Sequence, residues 1–133
     1  MSDLQCIVVT PEKTVVSKEA HFVALPLFDG EVGVAPGHSP MIGRLGCGEL
    51  RLDTGEGIDR YYIEGGFVEV MGDKISLLTN RAVPATELDE LAAREALEAA
   101  REKPAHSPET MAIRDRAVTQ ARAQIQVAKR NPK

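Results

Sequence analysis

Residues with reactive or metal-ligating side chains are sparse in this chain, and their spacing matches no catalytic pattern. Cys6 and Cys47 stand 41 positions apart, with no C-x-x-C and no histidine pair nearby, so neither a zinc site nor a disulfide framework is suggested. Isolated cysteines of this kind read as small buried hydrophobes, and a reducing cytoplasmic location is their natural default. His38 lies in the most idiosyncratic stretch, Asp29 to Pro40 (DGEVGVAPGHSP). It has no second histidine, cysteine or carboxylate at ligand spacing, and its plain reading is a surface-loop residue. The glycines of that stretch do not cradle a phosphate, because a Walker loop needs G-x-x-x-x-G-K-[ST] and a dinucleotide fingerprint needs G-x-G-x-x-G opening a helix. There is no G-x-S-x-G and no cysteine with an obvious histidine partner. The sequence therefore predicts no catalytic residue, no metal and no cofactor.

What remains is a set of polar side chains whose use depends on the elements that present them. All 11 glycines, all five aromatic residues and both cysteines precede residue 84, whereas 12 of the last 49 residues are alanine. Two structural regimes share the chain, 1–84 and 85–133. In the first, nine short runs with period-two alternation or β-branched content recur between glycines and prolines. They are Leu4 to Thr10, Thr14 to Lys18, His21 to Leu27, Glu31 to Val34, Met41 to Leu45, Glu49 to Asp53, Arg60 to Glu64, Phe67 to Met71 and Lys74 to Thr79. Gly72-Asp73 reads as a two-residue hairpin turn with glycine supplying the positive φ, and Thr54 to Gly57 as a longer hairpin loop. Strands this short and this frequent predict an antiparallel sandwich or flattened barrel. Three glycines and two prolines within Asp29–Pro40 force tight bends, leaving Glu31 and His38 at strand ends or on loops, where side chains reach outward.

In the second regime helix formers dominate. Thr86 with Asp89 reads as a weak capping box opening a helix over Leu88 to Glu102. Lys103 to His106 breaks it, and Ser107-Pro108-Glu109 restarts one with a cap residue, proline at the first helical position and an acid in the first turn. That helix is expected to run to about Arg130, with Asn131-Pro132 as its stop and Met111, Val118, Ala121, Ile125 and Ala128 as its apolar stripe. The predicted product is a helical hairpin. Each alanine buries little more than a methyl, against about 1.5 to 3 kcal/mol for a fully buried Leu or Ile, so the hairpin should dock weakly, able either to detach or to stay as a close-packed pair.

Charge separates the halves further. The net charge is −4 overall, but residues 1–84 carry twelve acids and seven bases, while residues 108–133 carry two acids and six bases. The terminal helix is a basic prong on an acidic body, suited to an acidic protein surface or nucleic acid, or simply to its own macrodipole. The acidic body and the lack of interleaved aromatics argue against a nucleic-acid partner. No apolar run approaches the roughly 20 residues that span a bilayer, and Met1 to Thr10 has no basic segment leading into an apolar stretch, which predicts a soluble, unprocessed chain. A sandwich that binds a small ligand would need a convergent His, Arg or aromatic cluster, and the sequence offers none.

On these residues the chain resembles the ε subunit of the F-type ATP synthase, called δ in mitochondria. The features that carry the resemblance are LQCIVVTPEKTVVS, then DGEVGVAPGHSPMIGRLGCGELRL, then YYIEGGFVEVMGDKISLLTNRAV, and LDELAAREALEAA opening the helices. G-E-V-G-V-x-P-G-H-S-P followed by G-E-L-R-L is the most specific of them. The resemblance implies an α+β protein: an antiparallel β-sandwich of about ten strands followed by a two-helix antiparallel hairpin. It implies a non-catalytic subunit of the rotary central stalk, with γ, the c-ring and the α/β subunits as partners and with membrane association only through the complex, at the cytoplasmic face of a bacterial inner membrane or, as the second alternative, at a plastid thylakoid. By position in the motif, Glu31 falls on the c-ring-facing loop, and His38 and the region around Thr10 on the γ-facing side. The hairpin corresponds to an arm that switches between folded-down and extended states, with Arg114, Arg116 and Arg122 assigned to an inhibitory contact with β. Some members bind ATP through [IL]-D-x-x-R-A. The aligned residues here are Leu88 to Ala93, with Ala92 at the arginine position. Asp89 alone then serves the helix N-terminus, and Arg94, about 200° around the helix, does not substitute, so ATP binding is expected to be weak or absent.

Overall fold

The computed structural model describes residues 3–129, so Arg130, the Asn131-Pro132 stop and Lys133 lie outside the described residues. The chain forms β1 (Leu4–Val9), β2 (Thr14–Ala20), β3 (Phe22–Leu27), β4 (Gly30–Val34), β5 (Met41–Asp53), β6 (Ile58–Met71), β7 (Lys74–Leu78) and β8 (Ala82–Pro84), then a 3-10 turn (Ala85–Glu87), α1 (Glu90–Arg101) and α2 (Pro108–Lys129). The strands hydrogen-bond in the order β2-β1-β7-β6-β5-β3-β4, with β8 added to β6.

Two long strands make this continuous ladder into a sandwich. In β5 and β6 the residue pairing runs without a shift from Met41↔Val70 to Asp53↔Ile58. The outer half, Met41–Leu45 against Phe67–Val70, lies beside β7, β1 and β2. The other half lies beside β3, β4 and β8. The inward residues change parity along each strand: Leu45 but then Leu50 and Leu52 on β5, Ile63 but then Val68 and Val70 on β6. The changes fall at Gly46 and Gly48 on one strand and Gly65-Gly66 on the other, where the strands bend and pass from one layer to the next. Gly66 is required there, since its φ is +104° and a Cβ would sit 1.8 Å from the Leu78 carbonyl oxygen.

The sequence therefore reads four strands where the structure has two. Counting β5 and β6 once in each layer turns the eight strands into ten segments, in keeping with the ten implied by the resemblance. One pair departs from the expected antiparallel pattern, because β1 and β7 run parallel. Strand β8 is three residues long, too short to show a period-two pattern in the sequence.

One apolar core joins the layers, with Leu4, Cys6 and Val8 of β1, Val23 and Leu25 of β3, Leu50 and Leu52 of β5, and Ile75 and Leu77 of β7 fully enclosed. The strict alternation of burial along β1 is what the period-two sequence dictates. Burial pushes the Cys6 thiol up to about 12. The β6–β7 turn is Gly72-Asp73, with Met71 paired to Lys74 and Gly72 at a φ of +60°, as the hairpin rule requires.

Candidate functional site

The outer faces of the two layers differ. On the layer containing β3, β4 and β8, the outward residues of β5 are Cys47, Glu49 and Arg51, opposite Glu64, Tyr62 and Arg60 of β6. Helix α2 lies on this face, touching β5 and β6, and α1 packs on α2. The start of α2 is fixed locally: Ser107 Oγ accepts from Thr110 N–H at 3.2 Å, while Ser107 N–H donates to Thr110 Oγ1 at 2.9 Å. This is a reciprocal box around Pro108. Helix α1 begins at Glu90 because Asp89 caps it, its Oδ1 accepting from the N–H groups of Leu91 (2.9 Å) and Ala92 (3.4 Å). Thr86 lies instead in the preceding 3-10 turn, so the expected capping box at Thr86 is not formed.

The apolar contact beneath α2 is small. Tyr62, Ala85 and Val127 are buried there, edged by Leu88 and Ala123. Burial pushes the Tyr62 hydroxyl well above its usual range. Of the expected stripe, Ala121 and Ile125 are buried, while Met111 is half exposed. Val127 was not foreseen. It sits about 200° around the helix from Ile125, because the C-terminal part of α2 is covered on two sides. A single amphipathic stripe cannot describe such a helix.

Polar groups frame this contact. Glu64, two residues along from Tyr62 and on the same face, accepts from Tyr62 Oη at 2.8 Å and from Gln124 Nε2 at 3.5 Å, and Arg81 Nη1 lies 3.5 Å away. Farther along the face, Arg51 grips both oxygens of Glu31, at 3.0 and 3.2 Å, and donates to Glu49 at 3.1 Å, with Arg60 3.9 Å from Glu49. The hydrogen bonds that Arg51 donates to Glu31 lead the effects that hold its guanidinium above its ordinary pKa. Between α2 and the bend of β5 and β6 opens a cleft of about 930 Å³, whose walls include Thr10, Phe28, Arg44, Cys47, Glu64 and Arg116.

The outer face of the other layer carries no helix. Ile42, Phe67, Met71 and Leu78 are 76, 56, 58 and 60% exposed there, and Arg44 stacks over Phe28 with its guanidinium carbon 4.9 Å from the ring centroid. The register places Arg44, Phe67 and Leu78 side by side.

The residues singled out in the sequence are thus distributed over the molecule. Thr10 is buried at the end of β1, its hydroxyl donating to the Lys13 carbonyl at 3.2 Å, and shares the cleft with Arg116. Glu31 is on the edge strand β4, engaged with Arg51. His38 is half-buried in the β4–β5 loop, its Nδ1 2.7 Å from the Ser39 carbonyl oxygen, and does not line the cleft. Arg116 and Arg122 are exposed, and Arg114 is half-buried with its Nε lacking a hydrogen-bond partner among the described residues. Ala92, at the arginine position of the nucleotide motif, is exposed. Sequence reasoning missed Glu64, Gln124 and Arg51. Glu31 and Arg51 are 20 positions apart, Glu64 and Gln124 are 60 apart, and no local pattern marks either pair.

Comparison with known proteins agrees with this architecture. The family model for the "ATP synthase, Delta/Epsilon chain, beta-sandwich domain" matches residues 3–85. An ATP synthase epsilon chain of Rhodopirellula baltica is 48% identical over 126 residues, 95% of this chain and 98% of its own length. One from Carboxydothermus hydrogenoformans is 41% identical over 96 residues, 72% of each chain. Among solved structures, a chain of the Euglena gracilis mitochondrial ATP synthase superposes with a TM-score of 0.85 at 23% identity, covering 97% of this chain and 82% of that one. A chain of the Tetrahymena thermophila mitochondrial ATP synthase central stalk and c-ring gives 0.75 at 10% identity, covering 96% and 97%. With the sandwich matched end to end and an epsilon chain aligned over 95% of the sequence, helices included, this chain belongs to the delta/epsilon family of ATP synthase subunits.

Proposed function

We propose that this chain is a non-catalytic subunit of the rotary central stalk of an F-type ATP synthase, linking rotation of γ and the c-ring to the catalytic α/β subunits. The observation that carries the reading is the 48% identity to an ATP synthase epsilon chain over 95% of the chain, joined to a fold whose two outer faces have opposite character. Residues 1–84 form the part that transmits torque. The uncovered layer, with Ile42, Phe67, Met71 and Leu78 exposed on a rigid sheet, has the apolar character of a protein-docking surface, and γ is its proposed occupant, with the Thr10 region and His38 on the same side of the assembly. Glu31, at the edge of the other layer, is assigned to the c-ring loops. Membrane association is through the complex, at the cytoplasmic face of a bacterial inner membrane.

Residues 85–133 form the regulatory arm. In its extended state Arg114, Arg116 and Arg122 would meet an acidic segment of β and restrain ATP hydrolysis. The small apolar seat of α2 supports this, as does the absence of ion pairs to these three arginines among the described residues. Truncation after Pro84 should leave assembly with γ intact and raise ATP hydrolysis by the assembled complex. Unchanged hydrolysis with normal assembly would remove the inhibitory role, and failure of the tagged chain to recover α, β and γ from solubilised membranes would remove the stalk reading itself. ATP is not a ligand of the arm in this reading. With Asp89 spent on the α1 N-cap and Ala92 in place of a guanidinium, calorimetric titration should detect no low-micromolar binding.

A further inference from the structure

In its docked position α2 makes a polar contact with the sheet that nothing in the sequence marks. Among the described residues the apolar seat comprises Tyr62, Ala85 and Val127 with two edge residues, and Glu64 stands beside it, its side chain 14% exposed. Its carboxylate joins three parts of the molecule: Tyr62 on the same strand at 2.8 Å, Arg81 in the β7–β8 connection at 3.5 Å, and Gln124 on α2 at 3.5 Å. Gln124 precedes Val127 by three residues, so the polar and apolar contacts lie on neighbouring positions of one helix.

We propose that Glu64 is the latch of the helical hairpin: held in place by Tyr62 and Arg81, its carboxylate captures Gln124 and biases α2 toward the docked state. The inference rests on the reading of the hairpin as a regulatory arm and adds the residues that set its equilibrium. The geometry suits a reversible latch. When α2 leaves, Glu64 keeps Tyr62 and Arg81 as partners, and Gln124 is free to bond water, so neither side is left with the large penalty of an orphaned buried charge. Glu64 also lines the cleft beside α2, so the contact can open to solvent without disturbing the sandwich core. Latch and seat act together, and loss of either shifts the population without unfolding the domain.

Amide hydrogen exchange on the full chain tests this. Gln124→Glu sets a second carboxylate against Glu64 and should speed exchange through 118–129 by roughly tenfold, the change expected for loss of one hydrogen bond to a charged group, with β1 and β7 unaffected. Glu64→Ala should act in the same direction. Adding Glu64→Gln to Gln124→Glu restores an amide–carboxylate pair with the roles exchanged and should return α2 to slow exchange, a rescue that a merely structural defect would not show. Unchanged exchange in α2 for both single variants, or absence of rescue in the double variant, would overturn the latch. Measuring ATP hydrolysis by the assembled complex separates the two levels. Faster α2 exchange with hydrolysis unchanged supports the latch and removes the inhibitory reading, whereas slow α2 exchange in both single variants removes the latch whatever hydrolysis does.

Discussion

The sandwich core and the seat of α2 are built from the same kinds of residue to very different depths. The core encloses side chains from seven strands, among them Leu4, Leu25, Leu50, Leu52, Ile75 and Leu77 at zero exposure. Its β5–β6 bend fits so closely that one added methyl at Gly66 would overlap the backbone of β7. The seat of α2 has one tyrosine, one valine and one alanine fully covered. Apolar burial contributes about 25 cal/mol per Å², so the sandwich is held together far more firmly than the hairpin is held to it. Firmness of attachment follows from how much apolar surface each element encloses, not from its being helix or strand.

Four measurements test this contrast. The largest effect belongs to the core: Leu77→Ala should cost about 2–5 kcal/mol, read as a lower midpoint of denaturant unfolding for the whole sandwich. A loss under about 1 kcal/mol would show that the core is looser than its zero exposure implies. Next comes the seat. Val127→Ala removes two methyl groups, worth about 1.5 kcal/mol, and should raise hydrogen exchange in α1 and α2 while the unfolding midpoint of the strands stays put. If that midpoint fell as far as for Leu77→Ala, sandwich and hairpin would be one cooperative unit and the contrast would vanish.

The smallest effects concern single titrating groups. Burial raises the pKa of the Cys6 thiol from 9.0 to about 12 and also raises that of Tyr62. Groups whose pKa is raised by folding contribute stability that is fully present below their unfolded pKa and lost as pH climbs toward the folded one. The sandwich should therefore weaken between about pH 9 and 12, and Cys6→Val should flatten part of that slope, leaving the Tyr62 share. An unchanged slope in Cys6→Val would mean the thiol is not carrying it. At neutral pH, Cys47 at the cleft wall should react with a thiol reagent before Cys6, which should require unfolding.

Much of the fold was legible because it is written locally. Period-two alternation marked β1 and β7, Gly72-Asp73 marked its hairpin, and Ser107-Pro108 marked the start of α2, each through chemistry confined to a few neighbouring residues. Asp89 was readable as a helix-terminal residue for the same reason. The bends of β5 and β6 were not, since Gly46 and Gly65-Gly66 read equally well as loops between separate strands. Only the pairing of the two strands along their full length shows that the glycines sit inside continuous ladders. The candidate site was less legible than the fold, for its residues meet between strands and between sheet and helix rather than along the chain.

The two regimes, most strand and helix limits, the acidic body and basic terminal helix and, through the glycine–proline loop motif, the family can all be read from the residues in order. Tertiary structure alone decided which outer face α2 covers, that Val127 rather than Met111 meets the sheet, that Glu31 is held by Arg51, and that Glu64 reaches Gln124. The distinction is one of range. Turn, cap and alternation preferences act over a few residues, whereas the partner of an outward side chain depends on register and layer packing, which are fixed only when the whole core closes.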